Sequence, residues 1–235
     1  MKKKRVAILI SGRGSNMAAL ISAAREKDFP AEIVGIVSNR VDAAGLDIAA
    51  KAGFATRTVL KADHPTAQQY DAATERVLGE LGAELICLAG YMRRLTPEFV
   101  QRWEGRMINI HPSLLPLFRG LDTHRKVLDA GMRVHGCTVH FVTAEVDAGP
   151  IIAQAAVPVE LGDTEATLAA RVLKAEHRLY PLALRLVAEG KVRMEGDRPV
   201  FSPFATKGGA GDLILSPEPA ADAIADLESL ARFTP

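Results

Sequence analysis

The chain predicts an α/β fold: a mostly parallel sheet with helices on both faces and an antiparallel strand pair toward the C-terminal half. Three observations carry this expectation. Short, nearly continuous apolar runs recur at 5–11, 32–38, 56–60 and 85–89, the pattern of strands buried on both faces. Helix-length stretches at 16–26, 43–52 and 66–81 lie between them and can serve as parallel crossovers. From residue 134 the rhythm changes, because the runs 134–143 and 151–159 are joined by a turn-rich link instead of a helix.

Taken in order, Lys2-Lys3-Lys4-Arg5 is a solvated lead-in to the first strand. The apolar run behind it, Val6 to Ile10, is too short for a signal peptide and meets Ser11-Gly12-Arg13-Gly14. After the fourth strand, 107–110 forms another that feeds a loop of polar residues. The stretch 164–189 reads as a long helix, with Gly190 as its stop signal. Residues 192–201 suit a hairpin around Glu195-Gly196-Asp197, and 206–211 a glycine-rich hinge. Over 217–230, Ala221, Ile224, Leu227 and Leu230 recur at helical spacing, predicting a short amphipathic helix that docks on the protein itself or on a second subunit. Residues 1–200 are expected to form one domain and 201–235 a C-terminal tail.

Composition narrows the classes. With 48% hydrophobic and 24% charged residues the chain can bury a sizeable core, and its net charge of +1, without a basic stripe, argues against a nucleic-acid partner. No segment is long enough to cross a membrane. Cys87 and Cys137 each lie inside an apolar run and read as buried free thiols, so a cytoplasmic location is expected.

The chemistry concentrates in Asn109-Ile110-His111-Pro112-Ser113-Leu114-Leu115-Pro116. Asn109 and His111 are one strand repeat apart, so both side chains point the same way where an apolar strand ends. An amide donor beside an imidazole can hold a developing oxyanion and manage its proton. Asp147, in the turn-rich Glu145-Val146-Asp147-Ala148-Gly149-Pro150, is placed to orient and charge His111.

The first strand runs into Ser11-Gly12-Arg13-Gly14-Ser15-Asn16, a glycine-rich turn opening a helix, where free N–H groups favour an anion. A dinucleotide fingerprint would need glycine at Met17 and an acid where Ser38-Asn39-Arg40 stands; the Walker pattern is also missing. A small cradle remains, suited to one phosphate monoester, with Ser15 and Asn16 adding side-chain donors; the plainer alternative is a tight turn with an Asn helix cap. His135 and His140 are five apart on a strand, on opposite faces, and cannot chelate one metal; no zinc-spaced cluster exists. Glu176-His177, by position alone, reads as surface ion pairing, and Trp103 as packing.

Together, Gly12 through Asn16, Ala89-Gly90-Tyr91-Met92-Arg93, Asn109 through Pro116, Gly120-Leu121-Asp122-Thr123-His124-Arg125, His135 through His140, Asp147-Ala148-Gly149-Pro150 and Glu176-His177-Arg178-Leu179-Tyr180-Pro181 resemble the phosphoribosylglycinamide formyltransferase family. The resemblance runs in order from about residue 5 to about residue 193. It implies a Rossmann-like formyltransferase fold and formyl transfer from 10-formyltetrahydrofolate to glycinamide ribonucleotide in purine biosynthesis, with no metal. By position it implies that Asn109, His111 and Asp147 are catalytic and that Gly14, Ser15 and Asn16 bind the substrate phosphate. Glu176 would hold the ribose or glycinamide end, while Met92, Arg93, Arg94, Leu95, His140 and Thr143 would border the folate. It also implies a cis Leu115-Pro116 bond, small-molecule partners only, and leaves a homodimer open. The sequence departs from the family at Ala67, where many relatives carry a nearby arginine.

Two rivals share the triad. Methionyl-tRNA formyltransferases add a basic RNA-contacting domain, for which neither length nor charge leaves room, and formyltetrahydrofolate hydrolases add an amino-terminal regulatory domain, whereas this first strand starts at residue 5. A nonenzymatic phosphate-binding module would explain the glycine loop and leave the triad without a reason.

Overall fold

The structure, a computed structural model, describes residues 2–203 and the backbone of 214–216. Its centre is an eight-stranded sheet built from β1 (Lys4–Ile10), β2 (Ala31–Ser38), β3 (Thr56–Thr58), β4 (Leu85–Leu88), β5 (Met107–His111), β6 (Val134–Phe141), β7 (Ile151–Pro158) and β10 (Ile214–Ser216). A separate hairpin pairs β8 (Val192–Glu195) with β9 (Arg198–Phe201). The order across the large sheet is β10-β7-β6-β5-β4-β1-β2-β3. Pairing is parallel from β3 through β5 and antiparallel from β5 through β6 and β7 to β10.

Helices α1 (Ser15–Ala24), α2 (Ala44–Lys51), α3 (Ala67–Glu80), α4 (Pro97–Arg102), α5 (Thr123–Asp129) and α6 (Glu165–Ala188) cover the sheet. Strand alternation divides the core in two. Val6, Ile8 and Ile10 pack with Leu20 and with Leu168, Val172 and Leu179 of α6; Ala7 and Leu9 face the other way, toward Tyr70, Leu78, Phe99 and Trp103. Two-sided burial explains why these strands read as unbroken apolar runs.

The predicted strands and long helices are present, with ends shifted by a residue or two, because caps decide termini more sharply than periodicity does. Thr66 and Thr164 cap α3 and α6 through reciprocal boxes with Gln69 and Thr167. Gly190, at φ +69°, follows α6 as the stop signal requires. The third strand ends at Thr58 because only one further backbone bond, Val59 N–H to Ser38 O, continues the pairing before a 3-10 turn at Lys61–Asp63.

Two short helices had no counterpart in the periodicity. A helix of six or seven residues is too short to display it. For α4 a local signal existed: Thr96 caps the Phe99 N–H, and Pro97 occupies the first turn, where its missing N–H costs nothing. Backbone 214–216, within the expected tail, joins the main sheet beside β7. The hinge at 206–211 and the helix at 217–230 lie outside the described residues. No helix among the described residues is long and apolar enough to cross a membrane.

Candidate active site

The strand order reverses between β1 and β4, and open α/β sheets place ligands beyond the C-terminal strand ends at such a point. The loops leaving β1, β4 and β5 there carry the glycine turn, the 89–95 segment and the 109–116 segment. Ser11 joins two of them. Its N–H donates to Gly90 O at 3.2 Å, and its buried Oγ accepts the Met92 N–H at 2.7 Å.

Asn109 and His111 lie on one face of β5 and pair across the sheet with His140 and Thr138 of β6. His140 is 2% exposed, and this burial pushes its pKa down, so the neutral ring is favoured. Its Nδ1 donates to Phe141 O at 2.8 Å, which leaves Nε2 as an acceptor for the Asn109 Nδ2 at 3.2 Å. One Asn109 hydrogen is therefore held by His140, and the second remains for a ligand.

Both nitrogens of His111 face acceptors. Nε2 donates to Phe118 O at 3.0 Å, and Nδ1 stands 3.3 Å from Asp147 Oδ2. The imidazolium satisfies both. Asp147 Oδ2 also accepts the Gly120 N–H at 3.0 Å, fixing the carboxylate. Phe118 and Asp147 have φ of +53° and +52°, a left-handed conformation that costs a β-carbon residue about 1–2 kcal/mol. Two such residues converging on one buried histidine mark the place where conformational strain is stored. Thr138 holds the adjoining loop, donating to Ser113 O at 2.7 Å and accepting from Leu115 N at 3.0 Å. The Leu115-Pro116 bond is cis.

A cleft of about 580 Å³, including its open mouth, adjoins Asn109, His140 and Asp147. Leu88, Tyr91, Leu95 and Val100 supply apolar wall, and Arg93, Arg94, Thr143 and Glu145 supply polar groups. Of the residues the sequence assigns to the folate, Arg93, Arg94, Leu95, His140 and Thr143 line it, whereas Met92 is 70% exposed outside its lining. Ala67 begins α3 in an exposed position.

The cradle lies on the other side of the sheet, at the start of α1. Gly14 is the N-cap residue at φ +75° and provides no side-chain cap, so the N–H groups of the first helical turn are open to an anion. The Asn cap alternative fails, because Asn16 lies inside the helix. The Asn16 Nδ2 donates to Glu176 Oε2 at 2.6 Å, across 160 residues of sequence, so one of its two hydrogens is engaged and the second is left for an anion. Its Oδ1 is buried without a partner among the described residues. Glu176 is no surface ion-pairing residue. It is 7% exposed, because it lies on the face of α6 that packs toward α1.

Burial raises the Glu176 pKa from 4.5 to about 6, and the Asn16 bond offsets only part of this. The carboxyl is thus harder to ionise in the folded protein than in the unfolded chain. Stability from this group is greatest below 4.5 and falls as pH rises through about 6, by about 2 kcal/mol in all. Glu176→Gln should therefore raise Tm at about pH 7.5 by several degrees, a gain that shrinks toward zero below the unfolded pKa. Calorimetric scans across pH check this; an equal Tm gain at every pH would show that charge burial is not the cause.

The sequence missed Ser11, Thr138, Phe118 and Gly120, since backbone contacts and cross-strand bonds leave no local pattern. His135 and His140 do lie apart: His135 meets His124 at 3.1 Å, and its burial holds its pKa down to about 4. Cys87 and Cys137 are buried free thiols, and Trp103 is core with Arg106 over its ring. No cluster of three or more His, Cys, Asp or Glu suited to a metal occurs among the described residues.

Residues 4–184 match the family model described as Formyl transferase. The chain is 43% identical to the phosphoribosylglycinamide formyltransferase of Escherichia coli strain K12, over 80% of this chain and 89% of that protein. It is 53% identical to the trifunctional purine biosynthetic protein adenosine-3 of Bos taurus over 82% of this chain, but spans only 19% of that protein. A crystal structure of phosphoribosylglycinamide formyltransferase from Brucella melitensis superposes with a TM-score of 0.77 at 57% identity, covering 80% of this chain and 96% of that one. The chain belongs to the formyl transferase family, and within it to the phosphoribosylglycinamide formyltransferases.

Proposed function

We propose that the protein transfers the formyl group of 10-formyltetrahydrofolate to the amine of glycinamide ribonucleotide, a step of de novo purine biosynthesis. The observation that carries this reading is the convergence of Asn109, His111 and Asp147 beside a cleft able to take the donor, with an anion cradle across the sheet. Attack of the amine on the formyl carbon gives a tetrahedral centre whose oxygen gains negative charge. The second Asn109 hydrogen stabilises that oxygen, as does the His111 Nε2–H once it leaves the Phe118 carbonyl. Asp147 orients the His111 ring through its Nδ1, and a water ordered by its carboxylate carries the proton from the attacking amine to the departing folate nitrogen. Holding the two reactants together lowers the entropic barrier further.

Gly14, Ser15 and Asn16 bind the substrate phosphate in this reading, chiefly through backbone N–H groups. The Asn16–Glu176 pair lies beside them, where the carboxylate and the unpartnered Asn16 Oδ1 can take donors from the ribose or glycinamide end. Arg93, Arg94, Leu95, His140 and Thr143 border the folate in this reading, and Met92 stands beside them outside the cleft lining. Residues 1–200 form the formyltransferase domain, and 201–235 a tail whose strand at 214–216 is tied to it. The test follows both products. Purified protein given 10-formyltetrahydrofolate is expected to yield formylated ribonucleotide only when glycinamide ribonucleotide is present. Formate released at the same rate without acceptor would replace transfer with hydrolysis.

A further inference from the structure

Three strands carry one row of polar side chains. In register across the sheet, His111 of β5 pairs with Thr138 of β6 and Thr138 pairs with Gln154 of β7, so all three side chains lie on one face. The chain leaving β5 folds back over this row and has no helix or strand of its own before α5, so side-chain bonds set its place. Thr138 Oγ1 donates to Ser113 O at 2.7 Å and accepts the Leu115 N–H at 3.0 Å. Gln154 completes the grip: its Nε2 donates to Leu115 O at 2.9 Å and to Thr138 Oγ1 at 3.0 Å. Leu115 O can only accept, so the amide nitrogen must face it, and both amide hydrogens are committed to these two acceptors. With two donors aimed at it, Thr138 Oγ1 directs its own proton to Ser113 O. Ser113 Oγ in turn donates to Leu117 O at 2.7 Å, one residue before the Phe118 carbonyl that accepts from His111 Nε2 at 3.0 Å.

A continuous set of bonds thus runs from Gln154, two strands away, to the acceptor that holds His111. Resting on the role given to His111 above, we propose that Gln154 is a positioning residue for formyl transfer: its amide fixes the 112–118 loop at Leu115, which keeps Phe118 O opposite His111 Nε2 and so sets the ring for the reaction. Gln154 does not line the cleft beside Asn109. Its loss therefore reaches the reacting atoms through the loop and falls on kcat, with the substrates still bound.

The experiment measures kcat and KM for both substrates on wild type, Gln154→Glu and Gln154→Leu, well below the lowest Tm, at a series of pH values on either side of neutrality. A donor analogue with carbon at ring position 5 is used, because it cannot cyclise in acid. Glutamate keeps the size of glutamine, but its carboxylate has no hydrogen to give until it is protonated. Facing two acceptors, that carboxyl titrates above its ordinary value, which brings its protonation into the assay range. Gln154→Glu is expected to lower kcat about ten-fold on the alkaline side with KM within about two-fold, and its kcat relative to wild type at the same pH should recover as the pH falls. Gln154→Leu, without a donor at any pH, should stay about ten-fold down throughout. Both variants within about two-fold of wild-type kcat, or a loss in Gln154→Glu that stays constant across pH, would overturn the assignment. Wild-type protein that released formate without formylating the ribonucleotide would instead overturn the transfer reading itself.

Discussion

Replacing His111 with alanine is expected to lower kcat by about 10²- to 10³-fold, the range typical for loss of one oxyanion donor, while the fold and phosphate-ligand affinity survive. His111 is 5% exposed, and its ring is held between Phe118 O and Asp147. Truncation empties that space and leaves both partners short of a donor, so some loss of Tm accompanies the loss of turnover. Asp147→Asn should have a similar effect by another route. An asparagine can still accept the Gly120 N–H, but it carries no charge and can turn its NH₂ toward His111 Nδ1, favouring the neutral ring in place of the imidazolium. Single-turnover rates with saturating substrates, alongside Kd for glycinamide ribonucleotide, separate chemistry from binding. If Asp147→Asn kept turnover within about three-fold of wild type, Asp147 would be only a turn residue.

Gly149→Ala is the second large effect, and it acts through backbone. A β-carbon at Gly149 would fall well inside van der Waals distance of the Phe141 carbonyl oxygen. That oxygen belongs to the end of β6, where Phe141 N–H also bonds Pro150 O at 2.9 Å, so neither partner can move without parting the strands. Overpacking a rigid contact of this kind costs about 3 kcal/mol or more, a fall in Tm on the order of 10 °C for a domain of this size. Asp147 lies two residues earlier, and a shift of about 1 Å there is expected to reduce turnover near 10²-fold. Gly12→Ala is the control: its β-carbon meets nothing within 4 Å, and stability should change by less than about 0.5 kcal/mol. Thermal melts of both variants, with kcat measured well below the lower Tm, decide the matter. Gly149→Ala with a wild-type Tm would show that the β6–β7 corner yields easily.

The geometry also changes how the cradle should be tested. Gly14 cannot be read simply as space for phosphate, because a β-carbon there would lie 2.8 Å from Gly45 Cα, and its φ of +75° disfavours any side chain. A bulky residue at Gly14 would therefore disturb the packing of two loops as well as ligand binding. Asn16 and Glu176 form a coupled pair, so truncating one to alanine leaves the other buried with an unmet bond, whereas Glu176→Gln keeps an acceptor for Asn16.

By itself, the sequence determined the parallel sheet, its long helices, the antiparallel strands after residue 134 and the Asn109–His111 pair. These are encoded locally: a two-residue repeat puts Asn109 and His111 on one face, glycine and threonine mark helix ends, and two-sided burial writes itself as an apolar run. Motif order went further and associated Asp147, the glycine loop and Glu176 with one reaction. Tertiary structure alone decided that His140 lies opposite Asn109 and holds its amide, that Phe118 O and Asp147 bracket His111, and that Asn16 turns inward to Glu176. It also moved Glu176 from the expected surface to the interior and set Gln154, two strands away, in one row with His111. Residues 16 and 176 meet because α1 and α6 pack on the same face of the sheet, and the burial that raises the Glu176 pKa comes from that packing. Such contacts depend on elements distant in the chain closing together, and no local spacing of residues records them.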